Sequence, residues 1–355
     1  MATKVEYYDV AIPDGVVPTS STLIRLGKKI SVPPAGIGLW AWGSSNWGYG
    51  TYDSSFTETT IQDAFDECLA QFPESVFFDT AEAYAEGDSE KFLGDLIQKY
   101  HVAHPTPAPE SSDTLGHDRI VVGSKFVPLP WKLSYPSSLL TSLRATLERL
   151  QMKTIDLYQI HGPVSLRPVE VLGEALAEAV KLGLVRAVAV SNFSISEVQR
   201  IHKTLSKHGI QLASNQIEFS LLRRLPETSG LIAECHKLGV AVIAYSPLGM
   251  GRLTGKYSSE NPPPAGRNFG DIDMKLLVPL LDTLKEMAAR YERTVAQVAL
   301  NWCICKGAIP IPGAKNKTQA MQNAGCIGWR LKPEDVAKLD ALSFVGKTTM
   351  MWQHG

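Results

Sequence analysis

Short apolar runs rich in Val, Ile, Phe and Tyr alternate along this chain with longer stretches whose apolar residues recur at helical spacing. The short runs predict eight strands, at residues 36–40, 75–78, 120–123, 155–160, 185–190, 212–215, 240–244 and 308–311. The longer stretches predict helices at residues 58–71, 89–100, 136–150, 169–181, 196–207, 226–238, 276–291 and 295–306. Strand and helix therefore alternate regularly, with two helices before the last strand.

The ends of the predicted helices carry residues that helix ends prefer. Ser196 and Thr294 stand at N-cap positions, where a hydroxyl oxygen accepts a hydrogen bond from the first helical turn. Glycine tolerates the left-handed conformation that often ends a helix, and four glycines follow predicted helix ends: Gly183, Gly209, Gly239 and Gly307. These caps support the assigned helix boundaries.

Strands separated by helices predict a parallel sheet, because a parallel connection needs a dozen or more residues. Two architectures fit, an open doubly wound sheet and a closed (β/α)8 barrel. A doubly wound sheet that binds a dinucleotide carries GxGxxG after its first strand, and this sequence contains no such motif. The α/β class with a (β/α)8 TIM barrel is therefore favoured, with an N-terminal β-hairpin over residues 21–32 and extra helices near the C-terminus.

The length of 355 residues fits one such barrel with insertions, so residues 1–355 are expected to form a single domain. Residues 1–20 are expected to be an N-terminal extension. Residues 101–118 and 258–273 are rich in Pro and polar residues and predict loop insertions. The second insertion is the better candidate for a lid, because it lies between two segments with candidate functional residues.

The composition, 44% hydrophobic and 20% charged, is that of an ordinary globular protein. The 35 Lys and Arg against 36 Asp and Glu leave a net charge of −1, which argues against nucleic acid and anionic membranes as partners. No targeting segment or spanning apolar run is evident, so a cytoplasmic location is expected. Five cysteines without a CxxC pair predict no bound metal. No heptad or exposed apolar stripe stands out, which favours a monomer or a weak homo-oligomer.

Polar residues follow almost every apolar run, and in a barrel the carboxyl ends of the strands build the active site. They are expected to converge on one mouth: Asp79, Lys125, His161, Ser191, Asn192, Gln216, Tyr245 and Ser246. Each residue taken singly also has an ordinary structural explanation, such as an ion pair or a packed histidine. Their combined position at successive strand ends favours a site.

Four of these residues predict a definite chemistry. Asp79 and Lys125 would neutralise each other, and Lys125 would lower the pKa of a neighbouring phenol by favouring its anion. Tyr84, five residues after Asp79, is the obvious phenol. His161 would donate a hydrogen bond that positions an acceptor oxygen. Together they predict protonation of a carbonyl oxygen while another group attacks the carbonyl carbon.

The motifs around these residues resemble the aldo-keto reductase family, on its pyridoxal-reductase-like and potassium-channel-β-subunit-like side. The resemblance runs from the hairpin to about Ser343. Its motifs are GIGLWAWG from Gly36, FFDTAEAY from Phe77, SEKFLG from Ser89, GSKF from Gly123, IDLYQIHGP from Ile155, VSNFS from Val190, NQIEFSLL from Asn215, AYSPLGMGRLTGKY from Ala244 and IPIPGAKNKTQAMQNAGCIGW from Ile309.

The resemblance implies a role for each matching residue. Tyr84 would be the proton donor, Lys125 its partner, Asp79 the residue that holds the lysine, and His161 the group that orients the substrate carbonyl. NADPH is the implied cofactor, with Ser191, Asn192 and Gln216 on the carboxamide and Tyr245 stacked on the nicotinamide ring. The other implied cofactor-binding residues are Gly38, Leu39, Trp40, Ser246, Leu248, Gly249, Gly251, Leu253, Lys256, Arg267, Gly313, Lys315, Gln319, Gln322 and Asn323.

Three residues depart from the family pattern. Ala85 follows Tyr84, where Gly is commoner, and Gly162 follows His161, where relatives often have Trp. Gly162 therefore predicts a roomier substrate pocket. Lys315 stands where many members have an arginine on the 2′-phosphate, and it supplies a point charge without the bidentate fork. NADPH is still favoured over NADH, since Lys315 precedes a helix N-terminus.

Aromatic residues in or near the strand-end loops are expected to line the substrate pocket: Trp42, Trp47, Tyr49, Phe126 and Trp131. Packing at the barrel rim is the alternative explanation for Trp42 and Trp131.

The leading functional hypothesis is an NADPH-dependent reductase of aldehydes or ketones, with a small-molecule carbonyl substrate that is pyridoxal-like or a secondary metabolite. The alternative is an NADPH-binding regulatory subunit of a partner protein, since channel β-subunits share these motifs. The residues alone do not separate a detoxifying from a biosynthetic reductase.

Overall fold

The computed structural model describes residues 4–105, 119–348 and 350–355. Within these residues, eight parallel strands form one sheet in the order β11-β10-β9-β8-β7-β6-β5-β4. The strands are β4 Ile37–Gly38, β5 Val76–Asp79, β6 Ile120–Phe126, β7 Ile155–Ile160, β8 Val185–Ser191, β9 Leu212–Glu218, β10 Ala241–Tyr245 and β11 Ala308–Pro310. All eight predicted strands are present.

Backbone hydrogen bonds join the first and last strands of this sheet. The N–H of Gly36 donates to the carbonyl of Pro310 at 3.0 Å, and the N–H of Gly38 donates to the carbonyl of Pro312 at 3.1 Å. The sheet therefore closes on itself as the predicted (β/α)8 barrel, and all strand carboxyl ends face the same mouth.

Helices surround the barrel and bury apolar side chains on their inner faces. Among the described residues they are α1 Glu58–Gln71, α2 Asp88–Ala103, α3 Ser137–Leu150, α4 Val169–Lys181, α5 Ile195–Ser206, α6 Leu225–Thr228, α7 Leu231–Lys237, α8 Val278–Tyr291, α9 Val295–Cys305, α10 Lys317–Ala324 and α11 Pro333–Leu342. The last two are the extra helices expected near the C-terminus.

Two helix predictions differ from the structure in detail. Ser194, not Ser196, caps α5, because its hydroxyl accepts from the N–H of Glu197 while the Glu197 carboxylate reaches back to the cap. The stretch predicted as one helix at 226–238 is divided at Gly230, whose φ of 83° lies in the left-handed region. Thr294 caps α9 as predicted.

The N-terminal residues form a small second sheet. The predicted hairpin is present as β2 Thr22–Leu26 and β3 Ile30–Val32, and β1 Glu6–Asp9 pairs in parallel with β2. The strand β1 was not predicted, since its residues are mostly polar and exposed. The turn of the hairpin packs on the barrel, because a Cβ at Gly27 would lie 3.1 Å from the Cβ of Ala213 near the start of β9.

The structure describes the two predicted loop insertions to different extents. Helix α2 extends into the first, to Ala103, and residues 106–118 lie outside the described residues. The second, residues 258–273, contains no helix or strand and reaches the cavity through Pro264, Arg267 and Phe269. We call residues 258–273 the belt.

The described ranges show neither a metal-binding cluster nor a helix suited to cross a membrane. No group of three or more His, Cys, Asp or Glu side chains there is arranged to hold a metal ion. None of the helices described combines the length and apolar character that crossing a bilayer requires. All five cysteines are free thiols, and Cys305 is the one that is not fully buried.

Candidate active site

A cavity of about 940 Å³ opens at the carboxyl ends of the barrel strands. Its volume lies in the range of cavities that bind small molecules and cofactors, about 300–1,000 Å³. Predicted residues that line it include Asp79, Tyr84, His161, Gly38, Trp40, Ser191, Asn192, Gln216, Tyr245, Ser246, Leu248, Gly251, Lys256, Arg267, Gly313, Lys315, Gln319, Gln322, Asn323 and Trp47.

A buried lysine and a buried aspartate lie at the deep end of this cavity. Lys125 on β6 and Asp79 at the end of β5 have side-chain exposures of 0% and 1%, and Lys125 Nζ lies 2.5 Å from Asp79 Oδ2. Lys125 Nζ also donates to the carbonyl of Thr80 at 2.8 Å and to the hydroxyl oxygen of Tyr84 at 3.1 Å. These three acceptors use all three ammonium hydrogens. Burial by itself would lower the pKa of Lys125, but the Asp79 carboxylate and Tyr84 together outweigh it, so the pKa is raised and the side chain stays charged.

Tyr84 begins a short 3₁₀ helix, Tyr84–Gly87, in the loop after β5. Because Lys125 donates to the phenolic oxygen, the hydroxyl proton of Tyr84 is free to point into the cavity. Burial raises the pKa of Tyr84 and the charge of Lys125 lowers it, with a net rise. The prediction of a lowered pKa is therefore wrong for this structure, although the contribution of Lys125 has the expected sign. The physical reason is that removing a phenolate from water costs more here than one ammonium returns.

His161 follows β7 and lines the cavity beside Tyr84, with the two ring centroids 5.7 Å apart. Burial, helped by the positive charge of Lys125, lowers the pKa of His161 to about 3. The imidazole is therefore neutral at ordinary pH. Its Nδ1 atom is buried and has no hydrogen-bond partner within the part of the chain that the structure describes.

Two glutamine side chains complete the environment of Asp79. The amide nitrogens of Gln159 and Gln216 each donate to Asp79 Oδ1 at 2.9 Å. Asp79 therefore accepts from two amides while its other oxygen binds Lys125, and the carboxylate is fixed in orientation. Gln159 was missed by the sequence analysis. Its signal is the two-residue alternation of a strand, which puts residues 159 and 161 on the same face.

A hydrogen-bonded row of polar side chains lies on the next three strands. Ser191 Oγ donates to the carbonyl of Gln216 at 2.9 Å, and Asn192 Nδ2 donates to Ser191 Oγ at 3.0 Å. The Tyr245 hydroxyl donates to Asn192 Oδ1 at 3.0 Å. Asn192 has a φ of 64°, and so this functional candidate is held in a left-handed conformation that Asn adopts more easily than most residues.

The loop after β10 contributes both cavity-lining and supporting residues. Ser246 and Met250 line the cavity with φ values of 49° and 53°, both in the left-handed region. Gly249 and Leu253, predicted to bind the cofactor, are buried and do not belong to the described lining. A Cβ at Gly249 would lie 2.5 Å from Leu222, which indicates close packing beneath the loop.

The predicted cofactor-binding residues in and just after β4 have different positions: two lie in the cavity wall and one lies in the core. A Cβ at Gly38 would lie 2.9 Å from the carbonyl oxygen of Ile311, so only glycine fits at this part of the wall. Trp40 remains 39% exposed and lies in the lining. Leu39, between them, is fully buried and points away from the cavity surface.

Basic side chains gather at the far end of the cavity. Lys315 Nζ lies 3.6 Å from Asp53 Oδ2 and donates to the carbonyl of Trp47. The guanidinium of Arg267 lies 3.5 Å above the Trp47 ring and donates to the Tyr52 hydroxyl. Burial lowers the pKa of Lys315 more than the Asp53 carboxylate raises it. Asp53 was not predicted, because nothing in its local sequence marks it as a partner of a residue so distant along the chain.

The structure brings one of the five predicted pocket aromatics, Trp47, into the cavity lining. Trp42 is fully buried and donates its indole N–H to the carbonyl of Ala314 at 2.8 Å. Tyr49 packs against Phe56 and Phe92, Phe126 is fully buried, and Trp131 is 73% exposed. The aromatic residues that join Trp47 in the lining include Trp40, Phe269 and Trp352, of which the last two were not predicted.

Gly162 does not leave extra room in the structure. A Cβ at this position would lie 3.4–3.6 Å from atoms of Trp352, a residue near the C-terminal end of the chain. The expectation of a roomier pocket beside Gly162 is therefore not met, because an indole from another segment covers that side.

Comparisons with known proteins identify the family of the chain. Residues 34–343 match the Aldo/keto reductase family. The chloroplastic pyridoxal reductase of Arabidopsis thaliana is 38% identical over 328 residues, which cover 89% of this chain and 84% of that protein. An aldo/keto reductase from Klebsiella pneumoniae, solved in complex with NADP and acetate, is 25% identical with a TM-score of 0.66 over 92% of this chain and 96% of that one. The glycerol dehydrogenase AKR11B4 from Gluconobacter oxydans shares the fold, with a TM-score of 0.72, 24% identity and coverage of 90% of this chain and 94% of that one. A barrel whose strand ends carry these residues, matched over most of its length, belongs to the aldo/keto reductase family.

Proposed function

We propose that this protein is an NADPH-dependent reductase that converts an aldehyde or ketone to an alcohol, with Tyr84 as the general acid. The observation that carries the proposal is the position of Lys125 between Asp79 and the Tyr84 oxygen, where Asp79 and Tyr84 line the cavity and Lys125 is buried behind them. This arrangement holds a phenolic proton at the cavity surface and a positive charge behind it, which is what delivery of a proton to a carbonyl oxygen requires.

The cavity residues fit a nicotinamide dinucleotide. At the deep end, the side chains of Ser191, Asn192 and Gln216 offer polar groups for a carboxamide, and the Tyr245 ring offers a flat surface. The wall at Gly38 lacks the space for a Cβ, which is typical of a close approach by a ligand or backbone. The cations at the other end suit phosphate groups.

The far end favours NADPH over NADH. Lys256, Arg267 and Lys315 all line the cavity there, and a 2′-phosphate adds negative charge that these cations would bind. The Klebsiella pneumoniae relative was solved with NADP. Lys315 already has the Asp53 carboxylate as a neighbour, so a 2′-phosphate would take over the position of that counter-charge.

Reduced nicotinamide, when bound, supplies the two electrons and the hydrogen that the carbonyl carbon takes up. Tyr84 gives its proton to the carbonyl oxygen, and the alcohol is formed. Lys125 stabilises the resulting phenolate through its 3.1 Å contact, while Asp79 and its two glutamine partners keep the ammonium charged and in place. Neutral His161 can donate one N–H to the carbonyl oxygen and so orient it without competing as an acid.

Pyridoxal and similar single-ring aromatic aldehydes are the proposed substrate class. The Arabidopsis thaliana relative is a pyridoxal reductase, and the indoles of Trp40 and Trp352 line the cavity with Tyr84 and His161. The free phenolic proton favours an enzyme over a purely regulatory subunit, because cofactor binding alone would not need it. The cytoplasmic location, the single domain over 1–355 and the monomer or weak homo-oligomer stay predictions; the relative named here is chloroplastic.

The test is NADPH consumption with pyridoxal and 4-nitrobenzaldehyde, compared between the wild type and Tyr84→Phe. Removing the hydroxyl should lower kcat by about 10²–10⁴-fold, the usual contribution of a general acid, while fluorescence titration shows unchanged NADPH binding. Tyr7→Phe is the matched control, because Tyr7 lies on β1 with 47% exposure and away from the cavity. Unchanged turnover in Tyr84→Phe would overturn the mechanism.

A further inference from the structure

The C-terminal residues 350–355 return to the mouth of the barrel and attach there through both backbone and side chains; we call them the tail. The N–H of His354 donates to the carbonyl of Asn192 at 3.0 Å. His354 Nδ1 lies 2.9 Å from a carboxylate oxygen of Glu197 in the first turn of α5. Arg223, which is 1% exposed, donates to the carbonyl oxygen of Gly355 at 2.7 Å. The tail is therefore docked against the site and does not extend into solvent.

One tail side chain, Trp352, forms part of the cavity wall next to the reacting groups. It lines the same cavity as Tyr84 and His161. Its indole atoms lie 3.4–3.6 Å from the point where a Cβ on Gly162 would be, directly after His161 in the chain. A glycine at 162 and a tryptophan at 352 are thus complementary: the first leaves a space and the second fills it.

Gln353, the residue after Trp352, is anchored to the barrel by hydrogen bonds. It is 4% exposed, and its amide nitrogen donates to Glu218 Oε2 at 2.6 Å and to the Tyr245 hydroxyl at 2.8 Å. Glu218 is 1% exposed at the end of β9, so the acceptor is itself part of the barrel. A buried amide bound to a buried carboxylate fixes the neighbouring residue in position far better than an exposed contact does.

The same carboxylate also holds the belt. Glu218 Oε1 accepts a hydrogen bond from the N–H of Gly270 at 2.9 Å. The preceding belt residue, Phe269, packs edge-to-face on the rings of Tyr245 and Trp40, with centroid distances of 5.3 Å and 5.8 Å. Glu218 is balanced by Arg223, whose Nε lies 3.8 Å from Oε2. Belt and tail are therefore attached to one buried ion pair, on two sides of the same cavity.

We propose that Trp352 is the specificity-determining wall of the substrate pocket, standing where a side chain at position 162 would otherwise stand, and that Gln353 is its positioning residue. This inference rests on the proposed carbonyl reductase function. The wall admits an aromatic aldehyde that is one ring wide and excludes fused rings, because the indole occupies the space that a second ring needs.

The experiment compares kcat/KM for benzaldehyde and 2-naphthaldehyde in the wild type and in Trp352→Ala. Removing the indole should lower the preference for the smaller aldehyde by about tenfold or more, within the range that steric exclusion from an apolar pocket provides. Met351→Ala is the matched control, since Met351 is the preceding tail residue and is 88% exposed. Its ratio should equal that of the wild type.

A second variant separates loss of the wall from damage to the fold. In this double variant, Gly162→Trp is combined with Trp352→Ala, so the indole on this side of the pocket comes from residue 162 and not from the tail. The backbone at Gly162 is not in the left-handed region, so it accepts a residue with a side chain. The double variant should recover the preference for benzaldehyde. A general structural defect would not be reversed by a second substitution of this size.

The positioning role of Gln353 has its own measurement. Gln353→Ala should raise KM for benzaldehyde more than it lowers kcat, shift the size preference toward that of Trp352→Ala, and increase amide hydrogen exchange in residues 350–355. A variant that loses stability while keeping the wild-type size preference would overturn the assignment of Gln353.

Equilibrium binding of the two aldehydes in the presence of NADP+ provides a readout that does not depend on turnover. If the wild type reduces no aldehyde, but the ratio of its affinities for the two aldehydes still changes in Trp352→Ala, the proposed function fails and the role of Trp352 as the pocket wall is supported. If turnover is normal and Trp352→Ala leaves both ratios unchanged, the wall is overturned and the proposed function stands.

Discussion

Two Lys–Asp pairs lie at opposite ends of the cavity, and they differ in almost every physical property. Lys125 and Asp79 are 2.5 Å apart with side-chain exposures of 0% and 1%. Lys315 and Asp53 are 3.6 Å apart with exposures of 20% and 31%. The first pair is supplied by strand ends, and the second joins a loop after β4 to the loop after β11.

The difference in burial shifts the pKa values of the two lysines in opposite directions. The pKa of Lys125 is raised because burial, which alone would lower it, is outweighed by the Asp79 carboxylate and the Tyr84 hydroxyl in direct contact. The pKa of Lys315 is lowered because burial outweighs its more distant carboxylate. A buried, fully hydrogen-bonded pair suits a fixed role in proton delivery, whereas a looser, partly exposed pair can exchange its counter-ion for an anionic ligand.

Breaking the deep pair should give the largest effect. Lys125→Met leaves the Asp79 carboxylate buried without a counter-charge, which costs about 3–5 kcal/mol of unfolding free energy. It also removes the cation behind Tyr84, so kcat should fall by about a hundredfold or more. Denaturant unfolding and NADPH consumption measure the two effects.

The double variant Asp79→Asn with Lys125→Met distinguishes the two effects. It removes both charges, so it should recover much of the lost stability without recovering activity. Wild-type activity in a stably folded double variant would mean that the pair is structural and has no part in proton delivery.

Changing the far pair should affect the choice of cofactor and leave the fold intact. Lys315→Met should weaken NADPH binding by about 10–100-fold, as expected for loss of a charged hydrogen bond, and should affect NADH little. Fluorescence titration with both cofactors measures this selectivity. Lys317→Met is the matched control, because Lys317, the first residue of α10, pairs with Glu67 at the same 3.6 Å and is not part of the described cavity lining.

Replacing Asp53, the acidic partner of Lys315, should change the NADPH affinity in the opposite direction. Asp53→Asn removes the carboxylate that competes with a phosphate, so NADPH should bind a few-fold tighter, in line with the small worth of a partly exposed pair, about 0–1 kcal/mol. Equal effects of either substitution on NADH and NADPH would contradict the assignment of this end to the 2′-phosphate.

The smallest effect is expected at Ala85, next to Tyr84. Its φ of 48° lies in the left-handed region, which is unfavourable for alanine and easy for glycine. Ala85→Gly should therefore leave stability unchanged or raise it by up to about 1 kcal/mol, with unchanged kcat. Ala145→Gly within α3 is the control of opposite sign and should lose about 1 kcal/mol. A clear loss of thermal stability in Ala85→Gly would show that the left-handed backbone carries no strain there.

The deep end of the cavity was predictable because it follows from two local rules. Apolar runs give the strands, and the first polar residue after each run lies at the mouth of a parallel barrel. Asp79, Lys125 and His161 were found in this way, and Gln159 was available from strand alternation. The sign of the pKa change at Tyr84 was not predictable, since burial from many neighbours outweighs the one charge that the sequence suggested.

The covering parts of the cavity could not be predicted from the pattern. Trp42 and Phe126 are aromatic residues of the kind that line pockets, but both lie in the core, while Trp131 is exposed. Trp352 reaches the mouth only because the tail folds back across the barrel, and no periodicity marks that path. Pairing over such separations depends on loop conformation, which local propensity does not determine.

The order of apolar and polar residues by itself determined the closed barrel, the boundaries of most predicted helices to within a few residues, and the convergence of an acid, a base and an imidazole at one rim. These features repeat in every strand–helix unit, so short-range pattern is sufficient to specify them. The tertiary structure alone decided which side chains cover that rim, because the belt and the tail reach it by contacts with Glu218 that join residues more than fifty positions apart.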